Sequence, residues 1–210
     1  MPLTPLAYLH RFEPGLDSSA PPLLLLHGTG GDENDLVPFA RQLSPRSALL
    51  SPRGDVLENG QPRFFRRFAE GVFDLPDVER RTHALADFIH AAAQRYCFDQ
   101  SRLTALGFSN GANIAASLLL LRPESLAAAA LLRPMVVLTL TSLPLLAGKR
   151  ILISSGTRDP IVPPDHPPRL AALFRAAGAE VILHATPASH GLVPADITAA
   201  GAFFAPSAAS

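Results

Sequence analysis

Short apolar segments alternate along this chain with longer helical patterns, and this alternation restricts the folds that the sequence can adopt. The apolar segments lack the in–out periodicity of strands with one face in water. They are therefore typical of strands that are buried on both faces of a parallel sheet. They lie at residues 8–12, 23–26, 48–50, 103–106, 127–132, 151–153 and 181–183.

Helical patterns fill the gaps between these predicted strands. Apolar residues at steps of three and four predict a helix over 78–96, for which Asp77 is the expected N-cap. Three more helices are predicted over 110–121, 169–177 and 195–204. The alternation indicates an α/β fold in which helices cover both faces of a mostly parallel sheet. Because the chain has 210 residues and no long linker, we expect a single domain over 1–210.

The sharpest motif is Gly107-Phe108-Ser109-Asn110-Gly111, which stands between a predicted strand and a predicted helix. A serine in Gly-x-Ser-x-Gly at such a turn is the sequence form of a nucleophile elbow. The turn lifts the hydroxyl above the sheet edge, and glycines leave room for the adjacent backbone. We therefore predict Ser109 as a catalytic nucleophile, with an ordinary glycine-rich turn as the alternative.

A serine hydroxyl needs a base beside it, and the base needs an orienting carboxylate. In folds with this elbow the chain order is serine, acid, histidine. Three histidines follow the serine: His166, His184 and His190. His190 is the predicted base because it lies in a short loop just beyond the last predicted strand. Asp159, in the turn after the 151–153 strand, is the predicted acid, and Asp165 is the alternative.

Two backbone amides are expected to hold the oxyanion that forms on a substrate carbonyl. One is the N–H of Asn110, and the other is the N–H of Thr29 in a glycine-rich loop after an early strand. This loop also looks like a phosphate-binding turn, but neither Gly-x-Gly-x-x-Gly nor a Walker lysine follows it. His27 precedes Ser109 in the chain, so we expect it to hold the loop rather than to act as the base.

Four segments carry a family resemblance, in the same order along nearly the whole chain. They are Leu26-His27-Gly28-Thr29-Gly30-Gly31-Asp32-Glu33, Gly107-Phe108-Ser109-Asn110-Gly111, Gly156-Thr157-Arg158-Asp159-Pro160-Ile161-Val162-Pro163 and Ser189-His190-Gly191-Leu192. With them the chain resembles the carboxylesterase/phospholipase branch of the α/β-hydrolases, which is related to acyl-protein thioesterases and lysophospholipases. The resemblance implies the α/β-hydrolase fold and a Ser109, Asp159 and His190 triad, with Thr29 and Asn110 as oxyanion donors. Several relatives have Gln where this chain has Asn110, but the donor is a backbone amide.

Two segments are predicted to line a substrate cleft. Phe64, Phe65 and Arg66 would form an apolar wall with a cationic rim, while Met135 and Val137 would follow another strand. The alternative for both segments is core packing. The chain has no room for a large cap domain, so we expect minimal or no cap and an open, shallow groove.

Composition and charge exclude several classes of partner. Lys+Arg and Asp+Glu each number 18, so no basic surplus is available for phosphate contacts, and no nucleic-acid partner is expected. The zero net charge is compatible with self-association as a homodimer. The single cysteine, Cys97, excludes an internal disulfide framework and is expected to be a buried thiol.

Neither a signal peptide nor a membrane span is predicted. Residues 1–5 lack the charged and apolar regions of a signal peptide. The apolar segment 126–147 is interrupted by Arg133, Pro134 and Pro144, so we expect a buried strand followed by a loop. These features predict a cytoplasmic protein.

Together the residues predict a serine hydrolase that needs no cofactor or metal and cleaves carboxylic esters through an acyl-enzyme intermediate. A thioesterase or a lysophospholipase would use the same groups. A dienelactone-type or carbon–carbon hydrolase would need further pocket groups that the sequence does not identify. A catalytically inactive, ligand-binding homologue is the alternative outside the enzymes.

Overall fold

The computed structural model describes residues 6–205, so the segment 1–5 used for the signal-peptide prediction lies outside the described residues. The strands are β1 (His10–Glu13), β2 (Leu23–Leu26), β3 (Leu49–Pro52), β4 (Val56–Glu58), β5 (Gln61–Arg63), β6 (Arg67–Ala69), β7 (Val72–Phe73), β8 (Thr104–Phe108), β9 (Ala128–Leu132), β10 (Arg150–Gly156) and β11 (Glu180–Thr186). The helices are α1 (Val37–Leu43), α2 (Leu75–Tyr96), α3 (Asn110–Leu121), α4 (His166–Ala176) and α5 (Pro194–Phe204).

Seven strands form one sheet in the order β1-β3-β2-β8-β9-β10-β11. β1 runs antiparallel to β3, and the other neighbouring pairs are parallel. The carboxyl ends of the parallel strands therefore meet at one edge of the sheet, where α/β proteins bind their ligands. The predicted α/β fold with a mostly parallel sheet is confirmed.

Helices cover both faces of this sheet, and the strand sequences show why. Along β2, Leu24 and Leu26 pack into a core with α2, α3 and α4, while Leu23 and Leu25 face a second core with α1 and α5. Successive strand residues point to opposite faces, so a four-leucine run suits a strand that is buried on both sides.

Between β3 and α2 the chain forms two small hairpins, β4–β5 and β6–β7. No cap domain stands over the sheet edge within residues 6–205. In the same range no helix is both long enough and apolar enough to cross a bilayer. The apolar segment 126–147 contains β9 followed by irregular chain, as the sequence predicts.

Some local predictions are wrong, and helix α4 begins at His166, three residues earlier than predicted. Helix α2 begins at Leu75, one turn earlier than predicted, and its N-cap is Asp74, whose side chain accepts from the Asp77 N–H at 3.2 Å. Asp77 instead accepts from the Arg66 N–H at 2.8 Å. Cys97 is exposed rather than buried, because the chain leaves α2 there in the left-handed conformation, with φ +56°.

Candidate active site

Ser109 lies at the sharp turn between β8 and α3. Its φ of +51° and ψ of −114° fall outside the regions that L-residues favour, so the turn is strained. The flanking glycines are required by close backbone contacts. A Cβ on Gly111 would lie 1.9 Å from the Leu26 carbonyl oxygen, and one on Gly107 would lie 2.7 Å from the Gly111 carbonyl oxygen. A larger residue at Gly107 would push β8 and α3 apart, and one at Gly111 would push α3 away from the end of β2.

The structure brings the three predicted side chains together in one hydrogen-bonded chain. The Ser109 hydroxyl lies 2.9 Å from Nε2 of His190, and Nδ1 of His190 lies 2.8 Å from Oδ2 of Asp159. A carboxylate only accepts hydrogen bonds, so Nδ1 carries the proton and Nε2 is free to accept the serine proton. This geometry is that of a nucleophile, a base and an orienting acid.

Asp159 is held firmly on its other side. Its carboxylate is almost fully buried, and Oδ1 accepts from the backbone N–H groups of Ile161 at 2.8 Å and Val162 at 3.1 Å. These two hydrogen bonds fix the direction of Oδ2. The side chain is therefore rigid where it meets His190.

Backbone hydrogen bonds join the loop that carries Asp159 to the chain that leads from β11 to His190. The Thr157 N–H donates to the Thr186 carbonyl at 2.8 Å, and the Arg158 N–H donates to the Ala188 carbonyl at 3.0 Å. Asp159 and His190 are 31 positions apart in sequence, and they meet because the strands that precede them, β10 and β11, are parallel neighbours in the sheet.

A buried arginine clamps the His190 loop. Arg133 follows β9 with φ +58° and is 1 % exposed. Its Nε donates to the Ser189 carbonyl at 3.2 Å and its Nη2 to the Gly191 carbonyl at 3.1 Å. The guanidinium therefore holds both residues that flank the histidine.

The guanidinium of Arg133 is neutralised by Asp196 on α5, with N···O distances of 3.0 and 2.7 Å. Asp196 also accepts from the Ser154 hydroxyl at 2.6 Å and from the Val193 N–H at 2.8 Å. Burial raises the pKa of this carboxyl, but the bonds from Arg133, Ser154 and Val193 outweigh it and hold the pKa below its usual range. The pair is therefore ionised.

Both predicted oxyanion donors border the same cavity as Ser109. Within residues 6–205 no hydrogen-bond acceptor occupies the backbone N–H of Thr29 or of Asn110. The Gly30 N–H donates to the Pro62 carbonyl at 3.0 Å, which fixes the Thr29 loop against the β4–β5 hairpin. Two free amides next to a nucleophile suit a developing negative charge.

The alternative acid and bases lie elsewhere. His27 donates from Nδ1 to the Gly28 carbonyl at 2.6 Å and accepts from the Gly54 N–H at 2.9 Å, and burial lowers its pKa, so it is a neutral loop-holding residue. His166 accepts from the Val136 N–H. Asp165 pairs with exposed Arg169 at 2.8 Å. His184 lies within β11.

The cavity beside Ser109 has a volume of about 230 Å³. Six of its wall residues are Thr29, Gln61, Arg63, Arg67, Met135 and Ile161. Met135 lines the cavity, as predicted for the cleft, whereas Val137 does not. In the range 6–205 no three His, Cys, Asp or Glu side chains are grouped as a metal site.

The predicted aromatic wall is wrong. Phe64 and Phe65 are both fully buried in the core, and Arg66 is exposed outside the cavity, where it pairs with Asp74 at 2.7 Å. The reason lies in the backbone, because the Phe64 N–H donates to Oδ1 of Asn110 at 2.8 Å. This bond draws the segment onto α3 and buries both rings.

Sequence reasoning missed Arg63, Arg133 and Asp196 as residues of the site. A signal existed, because Arg133 interrupts an apolar segment and Asp196 is the one charged residue in the sequence of α5. Charged residues inside buried elements need partners. The sequence did not show that these two charges would pair.

Several known proteins resemble this chain in sequence and in fold. No protein-family model matches the sequence. MhqD of Bacillus subtilis strain 168, a protein named as a hydrolase, is 44% identical over 183 residues, which cover 87% of this chain and 90% of MhqD. The Bacillus cereus carboxylesterase structure is 45% identical, with a TM-score of 0.91 and 92% of each chain covered. The Mesorhizobium loti carboxylesterase structure is 36% identical, with a TM-score of 0.83, covering 90% of this chain and 89% of the other.

Proposed function

Because this chain belongs to the carboxylesterase-type family of the α/β-hydrolases, we propose that it cleaves carboxylic esters through Ser109. The similarity supports a hydrolytic enzyme in general. The observation that carries the finer proposal is the continuous hydrogen-bonded chain from the Ser109 hydroxyl through His190 to Asp159.

Acylation follows from the positions of these groups. The Ser109 oxygen attacks the ester carbonyl carbon while Nε2 of His190 takes the hydroxyl proton. The carbonyl oxygen becomes an oxyanion, which accepts from the N–H groups of Thr29 and Asn110. Each such donor lowers the barrier by about 3 kcal/mol. The oxyanion then reforms the carbonyl, the bond to the alcohol oxygen breaks, and His190 returns its proton to the departing alcohol.

Deacylation repeats the sequence with water. His190 takes a proton from water as the water oxygen attacks the acyl carbon on Ser109. Collapse of the second oxyanion releases the carboxylic acid, and His190 returns the proton to the serine oxygen. Asp159 stays ionised throughout and stabilises the imidazolium that forms twice in each cycle.

The small cavity favours compact esters. Its volume of about 230 Å³ lies below the range of roughly 300–1,000 Å³ that is usual for drug-sized ligands. The polar side chains Gln61, Arg63 and Arg67 line this cavity together with the serine. No observation on the described residues favours a thioester or a long-chain lysolipid over a short ester.

The test is hydrolysis of p-nitrophenyl acetate by Ser109→Ala. We expect kcat to fall by roughly four to six decades, because the nucleophile is lost while the fold remains. Asp159→Asn should cost about four decades, because the histidine then takes the wrong tautomer. Ser18→Ala, at an exposed serine before β2 and far from this edge, is the matched control. A folded Ser109→Ala protein with the wild-type rate would refute the proposal.

We further propose that residues 1–210 form one domain, because the sheet joins β1 near the start of the chain to β11 near its end. The homodimer and the cytoplasmic location stay predictions from the sequence.

A further inference from the structure

Arg63 is a buried arginine at the end of β5 that borders the cavity beside Ser109. Its side chain is only 2 % exposed. Nη1 donates to the Thr29 hydroxyl at 2.5 Å, and Nε donates to the Phe65 carbonyl at 3.3 Å and lies 3.1 Å from a Glu58 carboxylate oxygen. Nη2 has no hydrogen-bond partner among residues 6–205, and it is not fully enclosed by the protein. The open side of this guanidinium therefore faces the cavity.

Arg63 has no carboxylate of its own, because it and Arg67 share a cluster with Glu58 and Glu70. Glu58 is shared with Arg67, which donates to both of its oxygens at 3.0 and 3.1 Å and also pairs with Glu70. Burial lowers the pKa of Arg63 and repulsion by Arg67 lowers it further, while Glu58 and Glu70 oppose both effects. Arg133, in contrast, is fully paired with Asp196.

A buried N–H donor without a partner is costly unless something binds it. A planar guanidinium matches the geometry of a carboxylate, and the charged bond between them is stronger than a neutral one. Because Arg63 contacts Thr29, whose amide is a proposed oxyanion donor, a carboxylate bound there would lie close to the scissile ester.

We propose that Arg63 is a specificity-determining residue that binds a substrate carboxylate, so that the preferred substrates are compact esters carrying a second, ionised carboxyl group. This inference rests on the proposed function of Ser109 and names the substrate class of the same cavity. The rival role for Arg63 is structural, because its bond to the Thr29 hydroxyl could simply hold the oxyanion loop.

Two matched pairs of esters test the inference on the wild-type protein. Monomethyl succinate and methyl succinamate differ only by carboxylate against amide on the acyl side. Acetoxyacetate and acetoxyacetamide differ in the same way on the alcohol side. We expect the anionic ester to have a kcat/KM at least about tenfold higher in one pair, after correction for the uncatalysed rates. Equal values in both pairs would overturn the inference.

Arg63→Gln identifies the group responsible. Its kcat/KM for the preferred anionic ester should fall about 10- to 100-fold more than its kcat/KM for the matching amide, which itself falls to the extent that the Thr29 loop depends on Arg63. Arg66→Gln removes the same charge from an exposed neighbour outside the cavity and should keep the preference. Arg63→Lys keeps the positive charge but lacks the planar guanidinium, so it should keep part of the preference for the anionic ester.

An equal fall of both esters in Arg63→Gln would show the structural role and overturn the inference. If Arg63→Gln does not fold, the comparison of anionic and neutral esters on the wild-type protein still tests the inference. If wild-type protein hydrolyses p-nitrophenyl acetate in a Ser109-dependent way but shows no anion preference, the Arg63 inference alone fails. If it hydrolyses no ester at all, the proposed function fails and the inference fails with it.

Discussion

Replacing Asp196 with asparagine should destabilise this protein strongly, because it leaves a buried guanidinium without its counter-charge. The side chains of Arg133 and Asp196 are both 0 % exposed. Asparagine keeps the shape of the aspartate but removes its charge. Breaking a buried ion pair by removing one partner costs about 3–5 kcal/mol. For a chain of this size each kcal/mol lowers Tm by roughly 2–4 °C, so we expect a decrease of about 6–20 °C.

Thermal unfolding followed by circular dichroism at neutral pH measures this effect. Ser154→Ala is the matched control, since it removes one hydroxyl donor from the same carboxylate and should cost only about 1 kcal/mol. The kcat/KM for p-nitrophenyl acetate should also fall in Asp196→Asn, because Arg133 then loses the partner that orients it toward the His190 loop. A Tm within about 2 °C of the wild type would refute the reasoning.

The stabilisation that Asp196 provides should also depend on pH, and the direction of its pKa shift determines how. The folded pKa of Asp196 is lower than its unfolded value, so the charged carboxylate stabilises the protein fully above an unfolded pKa of about 3.9. That stabilisation is lost as pH falls through the lower folded pKa. The Tm difference between wild type and Asp196→Asn should therefore be constant near neutrality and should shrink in acid.

Three further predictions concern other parts of the fold. Gly111→Ala would place a Cβ 1.9 Å from the Leu26 carbonyl oxygen, so we expect little soluble protein, and a wild-type melting curve would contradict this. Cys97 is exposed, so Ellman's reagent should titrate about one thiol per native chain without denaturant, and a thiol that reacts only after unfolding would show burial. Burial and the nearby Asp55 raise the pKa of Tyr8 to about 12, so in a Tyr96→Phe variant, where Tyr8 is the one tyrosine left, the phenol should stay protonated during ultraviolet titration to about pH 11, and early ionisation in the folded state would disagree.

The sheet could be predicted because burial on both faces leaves a direct mark on sequence. Leu23–Leu26 has no polar position, and the structure places its alternate side chains in two separate cores. The loop residues Ser109, Asp159 and His190 could be selected for a similar reason, since each follows a predicted strand and such strand ends share one sheet edge. The structure brings these side chains together, and their catalytic roles stay proposals.

The segment between β3 and α2 could not be predicted, because its conformation depends on partners far away in sequence. Phe64 is drawn inward by Asn110, and the Arg66 backbone is held by Asp77. Neither hydrogen bond leaves a periodic pattern in the sequence from which it could be predicted. As a result the sequence suggested phenylalanines at the cavity, while the structure puts Arg63 there. Cys97 is the left-handed residue that follows α2, and helical periodicity does not indicate where the side chain of such a residue points.

The central claim is that one serine of this chain is activated by its neighbours, and covalent labelling tests it most directly. The measurement is the intact mass and peptide map of the native protein after treatment with a fluorophosphonate probe. We expect one adduct per chain on Ser109 and a large loss of labelling in His190→Ala, because Nε2 of His190 lies 2.9 Å from the serine oxygen. A folded wild-type protein that stays unlabelled, or that carries the adduct on another serine, would contradict the account.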